Sequence, residues 1–142
     1  MEKILAIDYG SRRFGLAVSD PLGISGRPLP ALERAQGDTL EEVVAGIGTV
    51  AREEEVSSLV VGLPLKMDGT EGPAAREVRD FIKRLKRLGL PVFEEDERLS
   101  SRHAHAVLKS HRMSARRRKQ LVDSAAALLL LQSFLARRRS SV

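Results

Sequence analysis

Three chain segments carry carboxylates where a shared site could form. Asp8 closes the apolar run Ile4-Leu5-Ala6-Ile7 and is followed at once by Tyr9-Gly10. A carboxylate at the carboxyl end of a central strand lies in the crevice where open α/β sheets bind ligands. Capping the turn is its plainer alternative role. Asp96 and Glu97 end a second segment, after Val92 and Phe93. Acidic residues often finish a strand simply by reaching solvent, and alternation sends adjacent side chains to opposite faces, so only one of the two can serve a common site. Asp123 shares a helical stripe with Ala127, Leu130 and Phe134, spacings of four, seven and eleven residues. An unpaired carboxylate on an apolar face is costly. It requires a cation, a hydrogen-bond network, a raised pKa or a salt bridge to one of the nearby arginines.

Brought together, Asp8, Asp96 or Glu97, and Asp123 make an oxygen-rich donor set of the kind that suits Mg²⁺ or Mn²⁺. Two such ions about 4 Å apart can activate water and stabilise the leaving oxygen of a phosphodiester. Their charge also offsets the repulsion among the carboxylates. Cations for a phosphate backbone are close in sequence, most densely at Arg116-Arg117-Arg118-Lys119 and Arg137-Arg138-Arg139. The loop from Gly62 to Pro73 could bring its glycine backbone and Lys66 to a phosphate, although it lacks the Gly-Lys-Ser/Thr ending of a nucleotide P-loop. A flexible connector explains it equally well. His103 and His105 stand two apart and diverge on a helix, and His111 is isolated, so no histidine metal pair is expected. Nothing supports a serine or histidine triad.

The elements that must position these residues are legible from periodicity. Ile4 and Ala6 alternate with Leu5 and Ile7, a strand covered on both faces and therefore central. Phe14 to Ser19 returns as a second strand, with Phe14, Leu16 and Val18 on one face and small Gly15 and Ala17 on the other, where a helix can approach closely. Gly26 to Leu32 forms a third strand that Pro28 and Pro30 push to the sheet edge. Thr39 and Glu42 form a capping box ahead of the helical repeat Leu40, Val43, Val44, Ile47 and Val50. Leu59-Val60-Val61 is a buried strand. A helix then runs from Pro73 through Leu88, with Gly89 ending it and Arg76, Arg79, Lys83, Lys86 and Arg87 on its exposed face. After a strand opening at Pro91, Ser100 or Ser101 caps a short helix to Leu108, and Ser114 caps a last one to about Arg137. This order predicts an α/β fold whose mixed sheet has three antiparallel N-terminal strands followed by parallel strands alternating with helices.

At 142 residues the chain suits one domain spanning 1–142, able to bury roughly 68–70% of its unfolded surface. It has no cysteine, which excludes disulfides, thiolate metal sites and a cysteine nucleophile. The longest apolar run, Ala125 to Leu131, falls far short of the roughly 18 residues needed to cross a bilayer, and the start lacks a signal-peptide layout. A cytoplasmic protein without a membrane partner is expected. The formal net charge is +5 and, after Glu97, Asp123 is the only carboxylate side chain left. That polarity favours a polyanionic partner, although solvated basic helix faces would read alike.

Four segments stand in an order that carries a resemblance: Asp8-Tyr9-Gly10-Ser11-Arg12-Arg13-Phe14-Gly15 through Asp20, Gly62-Leu63-Pro64 with Asp68-Gly69-Thr70, Asp96-Glu97-Arg98-Leu99-Ser100-Ser101, and Asp123-Ser124-Ala125-Ala126. Together they are similar to the YqgF family of pre-16S rRNA nucleases, formerly described as Holliday-junction-resolvase-like proteins. The likeness covers nearly the whole chain, and Ser100-Ser101 departs from it where relatives often carry threonines. It implies a ribonuclease-H-like fold and a metal-dependent nuclease acting in 5′-end maturation of small-subunit ribosomal RNA. By the same resemblance Asp8, Glu97 and Asp123 form the acidic triad, with Asp96 able to exchange roles with Glu97. Arg13, Lys66 and Arg98 become candidates for phosphate contact. The alternatives are cleavage of branched DNA by the same acids, or a catalytically silent nucleic-acid-binding module.

Overall fold

The computed structural model describes residues 2–99 and 115–140, leaving out the side chains of 99, 115–123 and 140. Strands β1 (Ile4–Asp8), β2 (Arg13–Ser19), β3 (Gly26–Glu33), β4 (Ser58–Leu63) and β5 (Val92–Asp96) form one sheet in the order β3-β2-β1-β4-β5. The first three are antiparallel to their neighbours in sequence, and β4 and β5 run parallel to β1 and to each other. β1 is central because it is apolar on both sides: Leu5 and Ile7 join one core, Ile4 and Ala6 the other. β3 takes the edge, where prolines that cannot donate to a ladder are tolerated.

Helices α1 (Leu40–Glu53) and α2 (Pro73–Leu85) cover the face of Leu5 and Ile7. The Thr39 hydroxyl caps α1 by accepting from the Glu42 N–H at 3.3 Å, and Pro73 opens α2 at the position where a missing N–H costs least. The expected helix through Leu88 is α-helical only to Leu85; Lys86–Leu88 tighten into a 3-10 turn before Gly89, whose φ of 84° ends it. Tyr9, Phe14 and Phe81 share an aromatic cluster on this face, with ring centroids 5.0–5.4 Å apart. The Tyr9 hydroxyl donates to Glu77 at 2.8 Å, which ties the exit of β1 to α2.

Helix α3 (Ala115–Ser140) covers the other face through Ala127, Leu130, Leu131 and Leu135, and continues three residues beyond the expected end. Fully burying residues such as Leu130 and Leu131 contributes about 1.5–3 kcal/mol each. The close approach foreseen beside Gly15 and Ala17 occurs: Ala17 is buried under α3, and a Cβ at Gly26 would stand 2.6 Å from the Leu131 side chain. Ser124 fixes the helix further. Between Phe14 and Leu16 the β2–β3 register slips, Phe14 facing Leu32 but Leu16 facing Leu29. The buried Ser124 hydroxyl fills the gap, donating to the Leu29 carbonyl at 2.6 Å and accepting from the Leu16 N–H at 3.4 Å. The expected helix from Ser100 or Ser101 to Leu108, its histidines and His111 lie outside the described residues. Among the described residues no helix is long and apolar enough to cross a membrane.

Candidate active site

Side-chain alternation decides which acidic residues can meet. On β1, Ile4 and Ala6 face α3, so Asp8, two residues on, belongs to the same face. Its neighbour across β2 is Gly15. β4 runs beside β1 with Val61 opposite Ile7, and its next residue is Gly62. Asp8 therefore ends its strand between two glycines on the face covered by α3. Neither neighbouring position carries a side chain, and the space over Gly62 is taken by the Glu97 side chain.

β5 supplies the second acid. Val92 packs in the core under α2 and Phe93 in the core under α3, and alternation continues with Glu94 bound to Arg79 of α2 and Glu95 bound to Arg137 of α3. Asp96 therefore falls on the α2 side. Its carboxylate accepts from the Arg98 backbone N–H at 3.0 Å and from the Arg98 guanidinium at 2.6–3.1 Å, contacts that hold it below the usual carboxylate range. Glu97, at the start of a 3-10 turn, folds back across Gly62 towards Asp8. A Cβ at Gly62 would lie 2.6 Å from Glu97 Oε1 and 2.8 Å from its Cγ. Burial pushes the Glu97 carboxyl up to about 8, and the charge of Asp8, a hydrogen bond shared with Asp8 and the charge of Asp96 push the same way.

The structure thus brings Asp8 and Glu97 together and turns Asp96 to Arg98. Asp123 lies in α3, one residue before the Ser124 anchor and on the stripe of buried Ala127 and Leu130; its side chain is outside the described set. Among the described residues, no third His, Cys, Asp or Glu completes a metal-holding group with Asp8 and Glu97. As a donor set, two adjacent carboxylates fit a hard divalent ion, whose charge would offset the burial and the repulsion that together hold a proton on Glu97.

The cationic candidates have separate positions. Arg98 clamps Asp96 and also donates to the Met67 carbonyl at 3.3 Å, joining the end of β5 to the loop after β4. That loop is a compact turn rather than an open phosphate cradle: the Lys66 N–H donates to the Thr70 carbonyl, the Gly69 N–H to the Lys66 carbonyl, and Asp68 accepts from Thr70. Lys66 is exposed and its stem crosses Gly72. Arg13 opens β2 and pairs with Glu33 at 3.8 Å. Arg116, Arg117, Arg118 and Lys119 occupy the first turns of α3, with side chains outside the described set. Sequence reasoning missed that Gly62 makes room for Glu97 beside Asp8, and that Gly15 stands opposite Asp8 on the other side. The available signal was a glycine near the end of each strand beside the Asp8 strand.

The family model "RuvX: Holliday junction resolvase" matches residues 2–137. A protein of Koribacter versatilis (strain Ellin345) named "Putative pre-16S rRNA nuclease" is 42% identical over 96% of this chain and 88% of its own length. A protein of the same name from Anaeromyxobacter dehalogenans (strain 2CP-1 / ATCC BAA-258) is 46% identical over 96% of this chain and 98% of its own. Among solved structures, Thermus thermophilus RuvC in complex with a Holliday junction substrate superposes with a TM-score of 0.64 at 16% identity, covering 99% of this chain and 98% of that one. That likeness concerns the fold, which is ribonuclease-H-like as expected.

Proposed function

The chain belongs to the RuvX family, and from that premise we propose that it is a metal-dependent nuclease hydrolysing phosphodiester bonds in 5′-end maturation of pre-16S ribosomal RNA. One observation carries the reading: Asp8 and Glu97 meet on the face of the sheet that α3 covers, Glu97 lying over Gly62 and sharing a hydrogen bond with Asp8. Nothing about a purely structural sheet end calls for two adjacent carboxylates there, one of them largely withdrawn from water.

In this reading Asp8, Glu97 and Asp123 hold the metal, Mg²⁺ or Mn²⁺. Bound there, a divalent ion supplies an activated water and charge stabilisation for the leaving oxygen. Before it binds, the proton shared between Glu97 and Asp8 limits the charge held at this pair. Asp96 keeps Arg98 against the loop after β4, so that Glu97 is presented from a fixed turn. Arg13, Lys66, Arg98 and the run Arg116 to Lys119 meet the phosphate backbone of structured RNA. The description of the family model favours a second reading, in which the same acids resolve branched DNA.

The deciding experiment compares precursor RNA with four-way DNA junctions, each incubated with protein and Mg²⁺ or Mn²⁺. The expected result is metal-dependent cutting of the RNA, reduced at least about a hundredfold in Asp8→Asn and Asp123→Asn, since even outer supports of metal sites are worth 10–100-fold. Both variants should stay folded, with melting temperatures no lower than wild type. Preference for the junction would favour the second reading, and equal cutting by all three proteins would refute both. Full cellular function of Asp8→Asn would mark the chain as a silent binding module.

A further inference from the structure

The edge strand β5 borders a concavity that takes no part in the acid pair. Phe93 and Phe134 form its floor, with ring centroids 5.4 Å apart, and Arg137 and Arg138 complete an open cavity of about 390 Å³. The Arg138 guanidinium lies over both rings, 5.3 and 5.6 Å from their centroids. Arg137 is anchored by Glu95, whose side chain is 0% exposed, while Arg137 itself remains 55% exposed. Arginines at a helix C-terminus stabilise the helix dipole wherever they point. That role explains their charge, yet it needs neither a buried carboxylate as anchor nor an aromatic floor. Burying Glu95 is costly, and its effect is to fix a guanidinium at the rim. The aromatics are also rationed: of the chain's 4 Phe and 1 Tyr, Tyr9, Phe14 and Phe81 serve the opposite core and the remaining two meet here.

Flat π faces and guanidinium planes are the surfaces on which unpaired bases stack, and arginine also matches phosphate geometry. We infer that this cavity is a subsite for a nucleotide of single-stranded RNA flanking the cut. The base stacks on the Arg138 guanidinium and the half-buried Phe93 ring, which buried Phe134 backs from the core, and Arg137 meets the phosphate. Placement beside a cut rests on the nuclease reading above. Phe93 lies near the start of β5 and Glu97 directly follows its last residue, so the cavity and the acids are joined by one short strand. The ion pair between Arg138 and Glu2, 2.9 Å long, is no obstacle, because both side chains are substantially exposed and such pairs contribute little.

The test titrates a short single-stranded RNA carrying 2-aminopurine into the full chain in EDTA, so that binding is read without cleavage. Wild type should quench the fluorescence on binding. Phe93→Leu, which keeps apolar volume but removes the aromatic face, and Arg138→Ala should each weaken binding roughly tenfold, in the range measured for removal of a base stack. Binding of duplex RNA should change less than about twofold, since it offers no unstacked base. Mn²⁺ affinity and the circular dichroism spectrum should match wild type in both variants, while Phe93→Leu lowers the melting temperature by a few degrees because its ring packs against the core under α3. Unchanged quenching and affinity in both variants would overturn the proposal. So would equal losses on duplex and single strand, because charge alone would then account for the binding. If the variants lose the quench while wild type cuts no RNA with either metal, the subsite stands and the nuclease reading falls; normal cutting with unaltered binding means the reverse.

Discussion

Glu97 is the residue at which protonation and stability meet and, in the proposed function, the metal as well. Burial, then the charge of Asp8, raise its carboxyl to about 8, whereas a carboxyl in the unfolded chain titrates near ~4.3. Between those values the folded protein holds a proton that the unfolded chain has released. Stability of the metal-free protein therefore falls as pH rises through that window. The expected outcome is a melting temperature in EDTA that declines from about pH 5 to pH 8, and that flattens when Mn²⁺ is added; a rise over the same window would contradict the assignment. Calorimetric titration of Mn²⁺ near neutrality, in buffers of different ionisation enthalpy, should show release of about one proton. Asp96 should contribute little to that release, because its partner Arg98 already keeps it ionised.

Two elements hold the acids in register, and each offers a separate test. The end of β4 passes beneath Glu97 at Gly62, where an added Cβ would meet the carboxylate and its Cγ. Gly62→Ala should displace Glu97 and lower Mn²⁺ affinity and cleavage about 10–100-fold, as removal of metal-site support does, with the circular dichroism spectrum unchanged. Wild-type affinity in that variant would mean that Glu97 does not depend on the open position. Helix α3 is anchored one residue beyond Asp123 by the Ser124 hydroxyl in the β2–β3 irregularity. Ser124→Ala leaves a buried carbonyl and N–H without their partner, and should cost about 1–3 kcal/mol in a urea titration. It should also reduce cleavage, because the helix carrying Asp123 loses its fixed height over the sheet. The pairing of Tyr9 with Glu77 serves a different end: it locks the exit of β1 to α2 on the face away from the acid pair.

At the scale of the molecule, a chain with net charge +5 and cations concentrated after Glu97 should bind RNA with a strong salt dependence. Replacing Arg116, Arg117, Arg118 and Lys119 with neutral residues should lower the slope of log K against log[salt] by up to about 3–4, at roughly 0.7–0.9 for each phosphate no longer neutralised; filter binding across about 50–200 mM salt would read it, and an unchanged slope would remove these residues from the interface. Much of this molecule was legible in the chain of residues alone. Two-sided apolar alternation made β1 central, Pro28 and Pro30 sent β3 to the edge, small residues on β2 marked where α3 lands, and the apolar run before Asp8 placed it at the end of the central strand. These features are local, set by side-chain period and backbone chemistry within one segment. The choice between Asp96 and Glu97 was not local. It depended on which face of β5 shares a side with Asp8 and Gly62, and that parity exists only once three strands pair in register. The burial of Glu95 against Arg137 was hidden for the same reason: its partner is 42 residues away in sequence and meets it only when α3 closes over the sheet.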